Sequence, residues 1–159
     1  MGQTENGEFK EILDKALKFL SFRPRSEQEM ISYLSKKKAT PEITKSVLFK
    51  LKELKLVDDE AFVKWWVEQR SLYRPRSIRV MRIELEQKGI SKDLLNSLTS
   101  QFSSSDEEVL AEKVVQKKIA RLKNLPLFEA KRKLYQLLGS RGYSYEVIKR
   151  VVDKTLKKE

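Results

Sequence analysis

The chain has 159 residues, 40% of them hydrophobic and 14 of those aromatic, which suffices for one ordinary domain or a few small repeats with a real core. Lys and Arg number 34 against 23 Asp and Glu, a net charge of +11 with an isoelectric point near 9.7, so a polyanion or an acidic surface is the expected partner. Neither Cys nor His occurs, which excludes disulfide scaffolds, Cys/His zinc sites, thiol catalysis and every Ser-His-Asp or Cys-His centre. No enzyme, cofactor, metal site or small-molecule substrate is expected.

The first eight residues are polar and acidic, with no basic region followed by an apolar one, and no 18-residue apolar run follows. These features predict a cytoplasmic protein without a membrane partner. Gly2 follows Met1, but Asn6 stands where a myristoylation motif needs Ser or Thr. Only 5 Gly and 4 Pro are present, so helices joined by short turns are expected rather than hairpins or long linkers.

Helix signals recur along the chain, and they predict nine helices near 8–21, 26–38, 41–55, 59–73, 76–88, 92–102, 106–123, 127–140 and 145–157. Ser26-Glu27-Gln28-Glu29 and Ser105-Asp106-Glu107-Glu108 read as capping boxes. Thr40 before Pro41, then Asp58, Ser91 and Ser144, offer further helix starts. Apolar stripes follow: Ile43, Val47, Leu51 and Leu54; then Phe62, Trp65, Trp66 and Leu72; then Val147, Ile148, Val151, Val152 and Leu156. Trp66 reads as core and Trp65 as facing partly outward. Asp58-Asp59-Glu60 reads as a helix start, because three adjacent carboxylates point in different directions and complement the positive end of a helix.

The chain also repeats itself. Arg23-Pro24-Arg25-Ser26 returns as Arg74-Pro75-Arg76-Ser77, and at the same offset Met30 meets Met81, Leu34 meets Leu85 and Lys37 meets Lys88. A further shift carries Leu85 to Leu138, Gly89 to Gly142, Ser91 to Ser144 and Leu94 to Val147. The prediction is an all-α chain of three tandem three-helix, helix-turn-helix-like repeats, residues 1–57, 58–103 and 104–159, forming an elongated, curved molecule. Gly89 and Gly142 fall where a left-handed residue closes one helix before the next. Lys38 holds that place in the first repeat, which requires either a strained Lys or a different turn.

Charge is unevenly shared. Residues 1–60 carry 12 basic and 11 acidic side chains, residues 61–102 carry 8 and 4, and residues 103–159 carry 14 and 8. The excess therefore sits in the second and third repeats, as expected for a binding surface confined to part of the body. Arg70, Arg74, Arg76, Arg79 and Arg82 lie on two adjoining helices, with Arg79 and Arg82 on one face. Lys117, Lys118, Arg121 and Lys123 precede the helix break Asn124-Leu125-Pro126, and Lys131, Arg132 and Lys133 follow it. Each cluster reads as a solvated face or as a contact with a polyanion or acidic protein. Lys36-Lys37-Lys38 complements a helix C-terminus and reads as structural.

Three stretches resemble the bacterial RecX family, regulators of the RecA recombinase filament. Leu56-Val57-Asp58-Asp59-Glu60-Ala61-Phe62 through Arg70 resembles that family's apolar pair, paired aspartates, two aromatics and terminal arginine. Arg76-Ser77-Ile78-Arg79 through Leu85-Glu86-Gln87-Lys88-Gly89-Ile90 resembles its basic helix ending in Lys-Gly, and Ser140-Arg141-Gly142-Tyr143-Ser144-Tyr145 its closing motif. Lys88 and Arg141, from the second and third of these, complete the candidate contact set. Lys55 departs from the glycine usual before the apolar pair. The resemblance implies a non-enzymatic protein that binds the RecA filament on single-stranded DNA and inhibits or modulates its ATPase, recombination and coprotease activity, in homologous recombination, DNA repair and the SOS response. The alternative is a stand-alone basic helix-turn-helix DNA-binding protein. Against it, the third helix of the second repeat offers only Lys92, Asn96 and Gln101 as base readers, so DNA binding from charge alone is expected to be weak and salt-sensitive.

Overall fold

The computed structural model describes residues 2–157, and among the described residues there are nine α-helices and no strand. They are α1 (Gly2–Phe22), α2 (Glu27–Lys36), α3 (Pro41–Glu53), α4 (Asp59–Leu72), α5 (Ile78–Gln87), α6 (Lys92–Gln101), α7 (Ser104–Leu122), α8 (Leu127–Ser140) and α9 (Tyr145–Lys157).

Local chemistry sets most of the helix starts. At α2, Ser26 Oγ accepts from Glu29 N at 3.1 Å while Glu29 Oε1 accepts from Ser26 N at 3.1 Å, a complete capping box. Thr40 Oγ1 caps α3 by accepting from Ile43 N at 3.2 Å, with Pro41 in the first helical position. Asp58 Oδ1 accepts from Glu60 N and Ala61 N, Ser91 Oγ from Leu94 N and Ser144 Oγ from Val147 N. Helix α7 differs from expectation. Its box is formed by Ser103 and Asp106, two residues before the expected pair, because in a run of three serines the register goes to the one whose third successor is Asp106. Helix α1 also begins earlier than expected, at Gly2 rather than residue 8.

The described residues fall into two compact units, one running to Trp65 and including Leu85–Leu94, the other comprising Trp66–Glu84 and the residues from Leu95 onward. In the first, Ile12, Ala16, Met30, Leu34, Val47, Leu48, Leu51 and Val57 form the core. In the second, Met81 joins Leu110, Val114, Val115, Leu134, Leu138 and the α9 residues Val147, Ile148, Val151 and Val152. Two members of the expected stripes are exposed. Leu54 and Leu72 end their helices and are 50% and 55% exposed. Trp65 and Trp66 are both half-buried.

One closure recurs after four helices. Lys38, Lys55, Gly89 and Gly142 all adopt positive φ, at 65°, 58°, 81° and 91°. In each case the next residue's amide reaches back to the last turn: Ala39 N to Leu34 O, Leu56 N to Leu51 O, Ile90 N to Leu85 O and Tyr143 N to Leu138 O. Lys38 and Lys55 thus keep the glycine turn and carry its strain. A second constraint separates the glycines from the lysines. A Cβ on Gly89 would lie 2.4 Å from Gln28 Cβ, and one on Gly142 would lie 2.6 Å from Ser77 Oγ and 2.3 Å from Val80 Cγ2. In both places the start of one repeat's second helix packs on the turn ending the next repeat's second helix. Lys38, by contrast, is exposed.

Candidate functional site

The same junction occurs once in each compact unit. In the first, Ser26 Oγ donates to Lys88 O at 2.7 Å, Glu27 N donates to Asp59 Oδ1 at 2.8 Å, and Lys88 Nζ lies 3.6 Å from Glu29 Oε2. In the second, Ser77 N donates to Arg141 O at 3.2 Å and Ile78 N donates to Glu107 Oε1 at 2.7 Å. Each carboxylate thereby satisfies a first-turn amide of a helix 29 or 32 residues away in sequence. Burial pushes the Asp59 and Glu107 carboxyls above their ordinary values, even though the amide bonds pull the other way. Ser26 and Ser77 are buried, which gives the repeated Arg-Pro-Arg-Ser motif its structural role.

This junction also accounts for several of the candidate cations. Lys88 faces Glu29, and the Arg141 main chain receives Ser77. Glu29 is held below its ordinary value: burial pushes it up, but the bonds from Arg23 and Ser26 N and the charges of Arg23 and Lys88 outweigh that. On α4 and α5, Arg70 pairs with Glu84 and lies 4.8 Å from the Trp66 ring centroid, while Arg76 Nη1 is 3.8 Å from Glu84 Oε1. Arg82 donates to Asn96 Oδ1 at 2.8 Å and Thr99 Oγ1 at 2.9 Å, tying α5 to α6. That bond also engages Asn96, one of the three side chains expected as base readers. Arg74 and Arg79 are exposed. Arg79 lines a cleft of about 430 Å³ with Ser77, Ser103, Glu107, Tyr143 and Ser144.

The cations of α7 and α8 are placed differently. Lys117 and Arg121, four apart, lie exposed on one face of α7, with Lys118 half-buried beside them. Lys117 Nζ donates to Tyr73 O at 3.3 Å. On α8, Lys131, Arg132 and Lys133 are exposed, and among the described residues Lys131 alone of these faces a carboxylate, Asp153, at 4.0 Å. Sequence reasoning missed the apolar residues between the two clusters, Leu127 and Phe128, which are 66% and 76% exposed. Their signal was position: they follow Pro126 directly in the first turn of α8, whose start has no side-chain cap.

Asp58, Asp59 and Glu60 do not converge. Asp58 caps its own helix, Asp59 reaches α2 and Glu60 is exposed. Among the described residues no group of three or more acidic side chains is arranged to hold a metal ion, and no helix is long and apolar enough to cross a membrane.

Nine helices among the described residues, a recurring three-helix sequence pattern and junctions built from helix starts define a helical-repeat protein whose excess positive charge lies in its later repeats. Models of RecX match it in chain order: the first three-helix domain at residues 13–51, the second at 58–97 and the third at 106–152. The chain is 31% identical over 143 residues to the regulatory protein RecX of Streptomyces coelicolor, covering 90% of this chain and 76% of that one. It is 34% identical over 145 residues to the RecX of a Geobacillus species, covering 91% of this chain and 54% of the relative, so it spans about half the length of that protein. The crystal structure of RecX from Lactobacillus salivarius superposes with a TM-score of 0.77 at 18% identity, covering 94% of this chain and 97% of that one. The chain belongs to the RecX family of regulatory proteins.

Proposed function

We propose that this chain is a non-enzymatic regulator that acts in the cytoplasm by binding the RecA recombinase filament on single-stranded DNA and modulating its ATPase, recombination and coprotease activity. The observation that carries the reading is the match to all three RecX domains in order. A regulator of this kind needs no reaction centre. It shifts filament stability by binding one filament conformation better than another. The chain's charge suits such a partner, with Arg74, Arg79, Arg121 and Arg132 presented outward on the second and third repeats.

Titration of the protein into RecA filaments assembled on single-stranded DNA tests this. The expected result is a saturable fall in ATP hydrolysis with an altered filament disassembly rate. Unchanged hydrolysis and disassembly at saturating protein would overturn it. The stand-alone helix-turn-helix reading loses support from the Arg82–Asn96 bond, which engages one of the three candidate base readers of the second repeat's third helix within the protein itself.

A further inference from the structure

We propose that the α7–α8 pair binds single-stranded nucleic acid directly, with Phe128 as a base-stacking ring and the cations of both helices as phosphate contacts. Residues 113–133 hold eight Lys and Arg and one carboxylate, Glu129, a net charge of +7 in 21 residues. The cations gather on the outer faces because the inner ones are taken by Val114, Val115, Ala130 and Leu134, all buried in the core of that unit. Lys113, Lys117 and Arg121 recur at four-residue spacing on α7, and Phe128 and Arg132 do so on α8. Phe128 therefore shares a face with Arg132 and sits about 6 Å from it along the helix axis.

These cations differ from those of α4 and α5. Arg70, Arg76 and Arg82 are engaged by Glu84, Asn96 and Thr99. On α7 and α8, Arg121 and Arg132 are exposed and meet no carboxylate of the described chain. A phenylalanine left 76% exposed one helical turn from such a cation gains nothing from folding. Tyr73, 68% exposed, borders the α7 cations, since its main-chain carbonyl accepts from Lys117 Nζ. Exposed rings each next to an exposed cation, Phe128 one turn from Arg132 and Tyr73 beside Lys117, match a ligand that offers phosphates along its backbone and a π-face on every base. The bases must be unpaired to reach a ring, which selects a single strand over a duplex. An acidic protein surface would use the cations and leave the ring without a partner.

This inference stands apart from the filament reading, because its test contains no recombinase. Binding of a labelled oligothymidylate to the full chain is followed by fluorescence anisotropy across a salt series, beside an abasic strand of equal length. Wild-type protein is expected to prefer the base-bearing strand. Phe128→Ala is expected to weaken oligothymidylate binding about tenfold, as one lost stacked base would, and to erase the preference over the abasic strand. Phe128→Leu, which keeps the apolar bulk and removes the ring, should do the same and serves if the alanine variant folds poorly. Arg121→Gln with Arg132→Gln should lower the salt slope by about 1.4, at about 0.7 per lost phosphate contact, while the preference persists. The proposal is overturned if both Phe128 variants bind like wild type. It is equally overturned if poly-glutamate competes as well as oligothymidylate at equal charge, in which case the surface serves an acidic polypeptide.

Discussion

The hydroxyl of Ser26 donates to the main-chain carbonyl of Lys88 at 2.7 Å across 62 residues of sequence. That bond places the first turn of α2 directly on the turn that ends α5, and Ser77 repeats the relationship against Arg141 through its own amide. A repeat that cannot bury its apolar face alone gains stability from its neighbour. Here the neighbours are also joined by polar bonds of fixed geometry at helix ends.

Gly89→Ala and Gly142→Ala are each expected to destabilise the protein by about 2 kcal/mol or more, because a left-handed non-glycine residue costs about 1–3 kcal/mol and the new Cβ would overlap Gln28 or Val80. Lys38→Gly changes the same type of turn at an exposed position, and its effect should stay within about 1 kcal/mol as relieved strain offsets greater freedom of the unfolded chain. Urea denaturation of the three variants distinguishes these cases. Equal losses in all three would mean that the junction adds nothing to the turn.

Asp59 and Glu107 give a pH dependence of definite sign. Both carboxyls titrate above their ordinary values in the folded protein, chiefly through burial, so the folded state holds these protons more tightly. Their contribution is complete below the ordinary values of 3.8 and 4.5 and is lost as pH rises through the folded values. Glu29, held low, acts oppositely: its contribution is present above 4.5 and is lost as pH falls through its folded value. Asp59→Asn with Glu107→Gln keeps an acceptor oxygen for each amide and should remove the stability loss on the rising side, whereas Glu29→Gln should remove the loss on the acid side. Denaturation midpoints measured from about pH 3 to about pH 7 check both slopes.

Tyr143 buries its hydroxyl without a hydrogen-bond partner among the described residues, and burial holds that hydroxyl above its ordinary pKa. An unmade bond at a buried donor costs about 1–3 kcal/mol. Tyr143→Phe is therefore expected to raise stability by about 1 kcal/mol, read as a higher melting temperature with unchanged helicity. A lower melting temperature would show that the hydroxyl has a partner in solution.

Arg79 and Arg82 share a face of α5 by their spacing, yet they should respond differently to charge reversal. Arg79→Glu removes an exposed charge and is expected to weaken ligand binding with no change in melting temperature. Arg82→Glu also breaks the bonds to Asn96 and Thr99 and should cost about 1 kcal/mol. Lys36→Glu with Lys37→Glu, in the electrostatically balanced first repeat, should leave binding nearly unchanged. Melting curves and anisotropy titrations on the same preparations separate the two arginines.

Much of this was legible in the residues themselves, because the forces concerned act within one helical turn. Ser26 with Glu29, Thr40 with Pro41, and Ser144 before Val147 are all decided by neighbours three residues away or fewer. The left-handed turns at Gly89 and Gly142 and the threefold recurrence of helices are of the same kind. Where two local solutions compete, as among Ser103, Ser104 and Ser105, the pattern alone picked the wrong serine. Only the tertiary structure decided which charges remain available. Arg70, Arg76 and Arg121 are indistinguishable as residue types, but packing places Glu84 against the first two and no carboxylate of the described chain against the third. Asp59 and Glu107 read equally well as caps of their own helices until folding brings the starts of α2 and α5 within reach. Composition sets the net charge of +11, but the surface that presents it depends on pairings between residues far apart in sequence, whose distances no local pattern encodes.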